Sequence, residues 1–251
     1  MKGKIKWPQE QPQQENEEIA MLKFKLEEVT KEMNEFAYIV SHDLQAPLRN
    51  ISGVLELIRK RYGDKLDASG VQFIDMAVKG SNKMKSLVFD LLEYSRLNTT
   101  AGNYMEVDLN EVLNEVKKKH ETQIEETGAR IKINELPLVH ADNNLMEKMF
   151  FHLIGNALKF RSEMTPEINI TSWKENNFWM LGVKDNGIGI EKDFFEKIFI
   201  VFRRLNNDEE KYSGTGIGLA ICKKIAGLHK GKIWLESGVK KGSTFYFTLP
   251  V

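Results

Sequence analysis

The sequence predicts two unlike units in series: a helical hairpin that closes its core as a four-helix bundle in a dimer, followed by an α/β sandwich. Three observations carry that expectation. Apolar residues repeat in heptad steps along two stretches of the first hundred residues, and the period stops near residue 98. Beyond it, short strand-like runs alternate with helical ones and with two glycine-rich loops. The chain of 251 residues also has the length for one to two domains, and 41% apolar with 29% charged residues is an ordinary globular composition.

Residues 1–18 hold two prolines and a Gln/Glu-rich stretch without apolar period, which predicts a flexible lead-in. The first seam follows: Ile19, Leu22, Leu26, Val29, Met33, Phe36 and Val40 alternate steps of three and four. After Val40 the apolar positions move to Leu44, Leu48, Ile51, Leu55 and Ile58, so two steps of four interrupt the heptad beside Pro47. A phase change and a helix bend are expected at residues 42–48. Turn formers over residues 62–70 lead into a second seam, Phe73, Ala77, Gly80, Met84, Leu87, Leu91 and Tyr94. The dimerisation unit is therefore residues 19–97, and the Asn-Thr-Thr-Ala-Gly-Asn stretch marks residues 98–106 as a linker.

From residue 107 the sandwich is expected to run to residue 251. Asp108 with Glu111 opens a helix that continues to Gly128. Alternation over Arg130–Glu135 predicts a strand, followed by a helix over residues 143–161. Strands over residues 167–174 and 178–184 flank a turn at Glu175-Asn176-Asn177. A helix over residues 218–229 and two terminal strands, 232–236 and 243–249, complete a mixed, largely antiparallel sheet.

Thirty-six basic residues balance thirty-six acidic ones. Neither half of the chain holds the basic excess that phosphate-backbone binding requires, so no nucleic acid is expected as partner. No apolar run exceeds five residues, so the chain holds no membrane segment and a cytoplasmic setting is expected. Cys222 is the single cysteine, which excludes a disulfide framework or a Cys-rich zinc site.

With Val40 at an a position, His42 falls at c and points to solvent, next to the carboxylate of Asp43. A carboxylate beside an imidazole orients the ring and makes its free nitrogen more nucleophilic. Such a ring suits attack on a bulky electrophile brought by another domain. The glycine loops supply the place for that electrophile. Asp185-Asn186-Gly187-Ile188-Gly189-Ile190 follows a strand, and Gly214-Thr215-Gly216-Ile217-Gly218-Leu219 precedes a helix. Glycines admit close backbone approach, and a helix start offers free N–H groups to phosphate oxygens. The polar stretch between them, Arg203–Ser213, has no apolar period and is expected to be a mobile lid. Phe199 and Phe202, at i and i+3, are expected to pin a short helix to the core.

These residues also resemble a known family. Ser41-His42-Asp43-Leu44-Gln45-Ala46-Pro47-Leu48 resembles the H box of sensor histidine kinases, and Asn156-Ala157-Leu158-Lys159-Phe160 resembles their N box. Asp185-x-Gly-x-Gly, the Phe199/Phe202 segment and Gly-Thr-Gly-Ile-Gly-Leu resemble the remaining boxes, in the same order, over about residues 30 to 251. Asp rather than Glu after the histidine is similar to the phytochrome-type branch. The resemblance implies an ATP-dependent kinase that phosphorylates His42 in a homodimer and passes the phosphoryl group to an aspartate of a separate response-regulator receiver domain. It implies ATP and Mg²⁺, with Asp43 as base or orienting group and Asn156 as metal ligand. Lys159 would face the phosphates, Phe160 would lie near the adenine, and Asp185 would accept from the adenine amino group. Gly187 and Gly189 would let the loop reach the nucleotide. Gly214, Thr215, Gly216, Gly218 and Leu219 form the phosphate loop, Arg204 would neutralise charge from the lid, and Thr244 is a further pocket candidate.

Two positions depart from the family. His152 stands where a second Asn is usual, and imidazole is a poor ligand for Mg²⁺. Ala46 stands where Thr or Asn often holds the water for dephosphorylating the partner, so weak or absent phosphatase activity is expected. Two other readings share the nucleotide fold: a clamp ATPase or serine kinase, and a nucleotide-binding scaffold without transfer.

Overall fold

The computed structural model describes residues 11–100, 102–205, 212 and 214–251. Two long helices, α1 (Gln11–Tyr62) and α2 (Ala68–Thr100), form the hairpin, with a short 3₁₀ turn at Gly63–Lys65 between them. The remainder folds as β1 (Tyr104–Asp108), α3 (Leu109–Lys119), α4 (Glu121–Thr127), β2 (Arg130–Ile133), β3 (Leu138–Asp142), α5 (Asn143–Lys159), β4 (Glu167–Glu175), β5 (Phe178–Asp185), α6 (Gly218–Leu228), β6 (Ile233–Ser237) and β7 (Ser243–Pro250).

The five-stranded sheet has the order β2-β4-β5-β7-β6, parallel only between β2 and β4. Alternation puts Ile168 and Ile170 of β4, Leu181 and Val183 of β5, and Phe245, Phe247 and Leu249 of β7 on one face, all buried. Met146, Met149, Phe150, Leu153 and Ile154 of α5, with Ile221 and Ile225 of α6, cover that face. Phe150 meets Phe247 edge-on at 5.6 Å between ring centroids. A sheet with one dry face and one helical layer is the two-layer sandwich expected.

In the hairpin, Tyr38 Oη accepts from Arg96, Ser52 and Ser81 share a 2.7 Å hydroxyl bond, and Arg59 pairs with Asp75 at 3.4 Å. That register brings Leu48, Val88 and Leu92 inside. The helix continues through Pro47 from Gln11 to Tyr62. Much of each seam stays uncovered in the single chain: Leu44 and Ile51 of α1, and Phe73 and Met84 of α2, are exposed.

Four expectations are corrected. Residues 11–18 belong to α1 and not to a lead-in, because Gln and Glu are good helix formers even without an apolar stripe; residues 1–10 lie outside the described residues. The stretch 98–106 is not all linker: α2 reaches Thr100, and Tyr104 opens β1, which pairs antiparallel with β3. The strand β3 itself was not expected. Its partner is over thirty residues away, so local pattern carries little of the signal. The single helix to Gly128 is two, broken at His120. That ring is buried against α5, with Nε2 3.0 Å from the Phe151 carbonyl and the rings stacked at 4.4 Å, and its inward turn ends α3. The Asp108 cap is as expected, its carboxylate accepting from Asn110 N at 2.8 Å.

Candidate active site

The last turn of α5, the end of β5 and the start of α6 converge because α5 and α6 lie side by side on the sheet. Phe160, just past α5, is tied to the β5 loop by Ile188 N–H donating to its carbonyl at 3.0 Å. A side chain at Gly187 would strike that same carbonyl, so only glycine lets the two segments meet. Between them and the second glycine loop lies a cavity of 390 Å³. Asn156, Lys159, Phe160, Asp185, Gly189, Arg204, Gly214, Thr215, Gly216, Gly218 and Leu219 all line it. A larger, open groove of 840 Å³ between α3, α4 and the start of α5 contains none of these residues.

Asp185 receives two backbone N–H groups on Oδ1, from Gly187 at 2.8 Å and Ser243 at 3.1 Å. Both bonds use one oxygen, and Oδ2 takes part in neither. Burial raises the carboxyl's pKa, and the two donors oppose that rise. Lys159 is pushed down to about 8, first by burial and then by the guanidinium of Arg204. Its Nζ sits 4.4 Å from the centroid of the Phe160 ring and forms no ion pair among the described residues. Arg204 donates to the Tyr212 carbonyl at 2.8 Å, and the Tyr212 ring stacks on Phe160 at 5.2 Å. A side chain at Gly214, where φ is 142°, would run into the Lys159 amine. The glycine thus keeps space open beside a cation.

His42 lies elsewhere. Its side chain on α1 is 69% exposed, with Nδ1 3.2 Å from Asp43 Oδ1 and the Tyr38 ring stacked 6.4 Å away. The hairpin register sets it level with Leu92 of α2. Neither His42 nor Asp43 lines the cavity.

Some predicted residues land differently. Thr244 points to the outer sheet face, toward Tyr246, and its neighbour Ser243 lines the cavity in its place; one residue along a strand changes the face. Phe199 is buried as expected, but Phe202 is about half exposed with φ of 63°, because the chain turns there before Arg203. Of the lid, residues 206–211 and 213 lie outside the described residues. His152 does face the cavity, yet its Nε2 is turned toward Glu93 of α2, 3.9 Å away, and burial lowers the pKa of the ring while Glu93 opposes that fall.

Sequence reasoning missed Ser86 and Asp90, which α2 contributes to the cavity wall. The C-terminal half of α2 docks here. Leu97 is fully buried in the sandwich core, Lys224 donates to the Tyr94 carbonyl at 2.8 Å, and Lys148 pairs with Glu93 at 2.8 Å. Nothing in a helical charge pattern separates Asp90 from any other surface acid.

Comparison with known proteins bears on both halves of the arrangement. Residues 32–100 match the His Kinase A (phospho-acceptor) domain, and residues 141–251 match the histidine kinase-, DNA gyrase B- and HSP90-like ATPase family. The catalytic domain of the histidine kinase ThkA is 31% identical over 59% of this chain and 96% of that one, with a TM-score of 0.52. The chain belongs to the histidine kinase family. Among curated relatives of this histidine kinase core, phytochrome-like protein Cph1 of Synechocystis sp. and cyanobacterial phytochrome A of Nostoc sp. are each 43% identical over 94% of the chain. The core spans 31% of the length of either protein. The structure of ThkA in complex with the response regulator protein TrrA is also similar, with 25% identity over 91% of this chain and 66% of that one, and a TM-score of 0.61. The fold of the ATPase half implies a capacity for ATP and Mg²⁺. No helix among the described residues is long and apolar enough to cross a membrane.

Proposed function

We propose that this chain is the catalytic core of a protein-histidine kinase that transfers the γ-phosphoryl group of ATP to His42, from which it passes to an aspartate of a separate receiver domain. The observation that carries the reading is the pairing of two sites of opposite demand. One is an exposed imidazole with a carboxylate on Nδ1; the other is a glycine-walled cavity holding a half-buried ammonium with no ion-pair partner among the described residues.

The chemistry follows from the contacts. With Asp43 accepting from Nδ1–H, the Nε2 lone pair of His42 is the nucleophile. Attack forms an N–P bond and breaks the bond from the γ-phosphorus to the bridging oxygen, so ADP leaves and Asp43 shares the proton of the imidazolium. In the cavity, Lys159 and Arg204 face the phosphates, and the backbone at Gly214, Thr215, Gly216 and Gly218, with Leu219 behind it, cradles them. Phe160 offers an aromatic face to the adenine, Asp185 accepts from its amino group through Oδ2, and Gly187 and Gly189 shape that wall.

The donor set fits Mg²⁺ carried in by a triphosphate. No cluster of three His, Cys, Asp or Glu side chains that could hold a metal exists among the described residues. One amide oxygen, that of Asn156, lines the cavity, and Mg²⁺ on a nucleotide takes most of its ligands from phosphates and water. An ion held there by Asn156 would supply neutralisation of charge on the phosphate oxygens. His152, turned toward Glu93, stays outside the ligand set.

The exposed apolar seams of α1 and α2 support a homodimer, and an ATP substrate supports a cytoplasmic setting for the core. Ala46 presents no group that could position a water, so phosphatase activity toward the receiver domain is weak or absent. Incubation with γ-labelled ATP and Mg²⁺ tests the reading. Acid-labile, base-stable label that disappears in His42→Gln is expected. Label on serine, or ATP turnover without label, would move the chain to the clamp ATPase class; nucleotide binding alone would make it a scaffold.

A further inference from the structure

We infer that Asp90 of α2 is an internal competitor of the nucleotide's phosphates: it holds the phosphate loop against the hairpin, and nucleotide binding releases it. The inference rests on the proposed kinase reading and concerns how the same cavity is regulated.

The geometry is specific. Thr215, between Gly214 and Gly216 in the loop, donates its hydroxyl hydrogen to Asp90 Oδ2. The same hydroxyl lies 3.4 Å from Ile217 N, at the start of α6, so Asp90 is bound to the end of the loop that precedes the helix. Asp90 lines the cavity together with Lys159 and Arg204. A carboxylate hydrogen-bonded to a glycine loop at a helix start is an anion in the kind of seat that favours phosphate. Its charge is also partly desolvated, since burial raises the Asp90 pKa while the Thr215 bond opposes that rise.

Two further features make the contact a brake. A phosphate group entering the loop meets a like charge at Asp90 and competes for the Thr215 hydroxyl, so docking and nucleotide binding oppose each other. By linkage, each weakens the other by the same factor. In the docked state His42 is exposed on α1 and is not part of the cavity wall, so this arrangement does not bring the phosphoryl group to the histidine of the same chain. The sandwich stays attached further along α2, where Leu97 is buried in its core and Lys224 holds the Tyr94 carbonyl. Asp90 is therefore the end of the interface that opens, and loading with nucleotide frees the sandwich to approach a histidine.

The test uses the full chain, with a non-hydrolysable ATP analogue as probe. Asp90→Asn and Asp90→Ala are expected to tighten analogue binding by about tenfold, with or without Mg²⁺, since a charge-assisted bond no longer has to be broken. Dyes on Lys85→Cys and Lys192→Cys report the docked distance, as buried Cys222 stays unlabelled. The analogue should lengthen that distance in the wild type, and Asp90→Ala should lengthen it without any ligand. Unchanged affinity, or an unchanged distance on adding the analogue, would overturn the inference. So would weaker binding confined to Mg²⁺, which would make Asp90 a ligand and not a competitor. A wild type that binds no analogue and takes no label on His42 would instead remove the kinase reading itself.

Discussion

The hairpin and the sandwich each leave one physical demand unmet, and the demands differ in kind. The sandwich closes its apolar core within one chain: Met146, Met149, Phe150 and Phe247 are fully buried. What it leaves unsatisfied among the described residues is electrostatic, an ammonium at Lys159 pressed toward neutrality by burial and by Arg204. The hairpin is the reverse. Leu57 and Phe73 are 66% and 68% exposed on helices too thin to cover them. An unmet apolar stripe calls for another helix pair, and an unmet cation calls for an anion. The two deficits name the two partners proposed above, a second copy and a polyphosphate.

The comparison breaks first if the sandwich is not self-sufficient. Phe150→Ala deletes a ring packed on Phe247 and should cost about 3–5 kcal/mol. Calorimetry should show the loss in a transition whose midpoint does not move with protein concentration. A midpoint that rises with concentration would mean that the sandwich core also depends on a second copy. The hairpin should behave oppositely. Burying a Leu or Phe is worth about 1.5–3 kcal/mol, so the double variant Leu57→Glu/Phe73→Glu should raise the dimer dissociation constant by about a hundredfold or more. Light scattering would read monomers, with helical circular dichroism retained. A variant that stayed dimeric would show that these side chains do not close the interface.

The two regions also differed in how much of them could be read beforehand. The long helices were legible because their period is local, and the α5, β4, β5, α6 and β7 elements because alternation or glycine punctuation marks them. The pair β1 and β3 was not, since each strand is stabilised by the other across the intervening α3, α4 and β2. The break at His120 depends on a carbonyl of α5 that only the tertiary fold brings within reach. At the site, the glycines, Asn156, Lys159 and Asp185 announced themselves through spacing. Thr244 failed by one residue of strand register, which sends it to the wet face and Ser243 to the cavity. Asp90 was illegible for a deeper reason: its partner, Thr215, belongs to the other domain.

The smallest effect expected concerns the cation itself. Lys159 has its pKa lowered from 10.5 to about 8 in the folded chain, so over pH 7 to 9 it passes from charged to mostly neutral when no ligand is bound. A bound polyphosphate favours the charged form, so nucleotide affinity should fall as pH rises through 8, by up to about tenfold between pH 7 and 9. Titration calorimetry would also show proton uptake on binding in that window. Lys159→Arg, charged throughout, should flatten the profile. Unfolding would not imitate the effect. Below pH 8 the group is charged in both states and its burial cost is fully present; between 8 and 10.5 the unfolded chain holds more protons, so this residue makes the fold more stable as pH rises. Affinity and stability should therefore move in opposite directions. A joint decline would show that the Lys159 charge answers to the fold and not to a ligand.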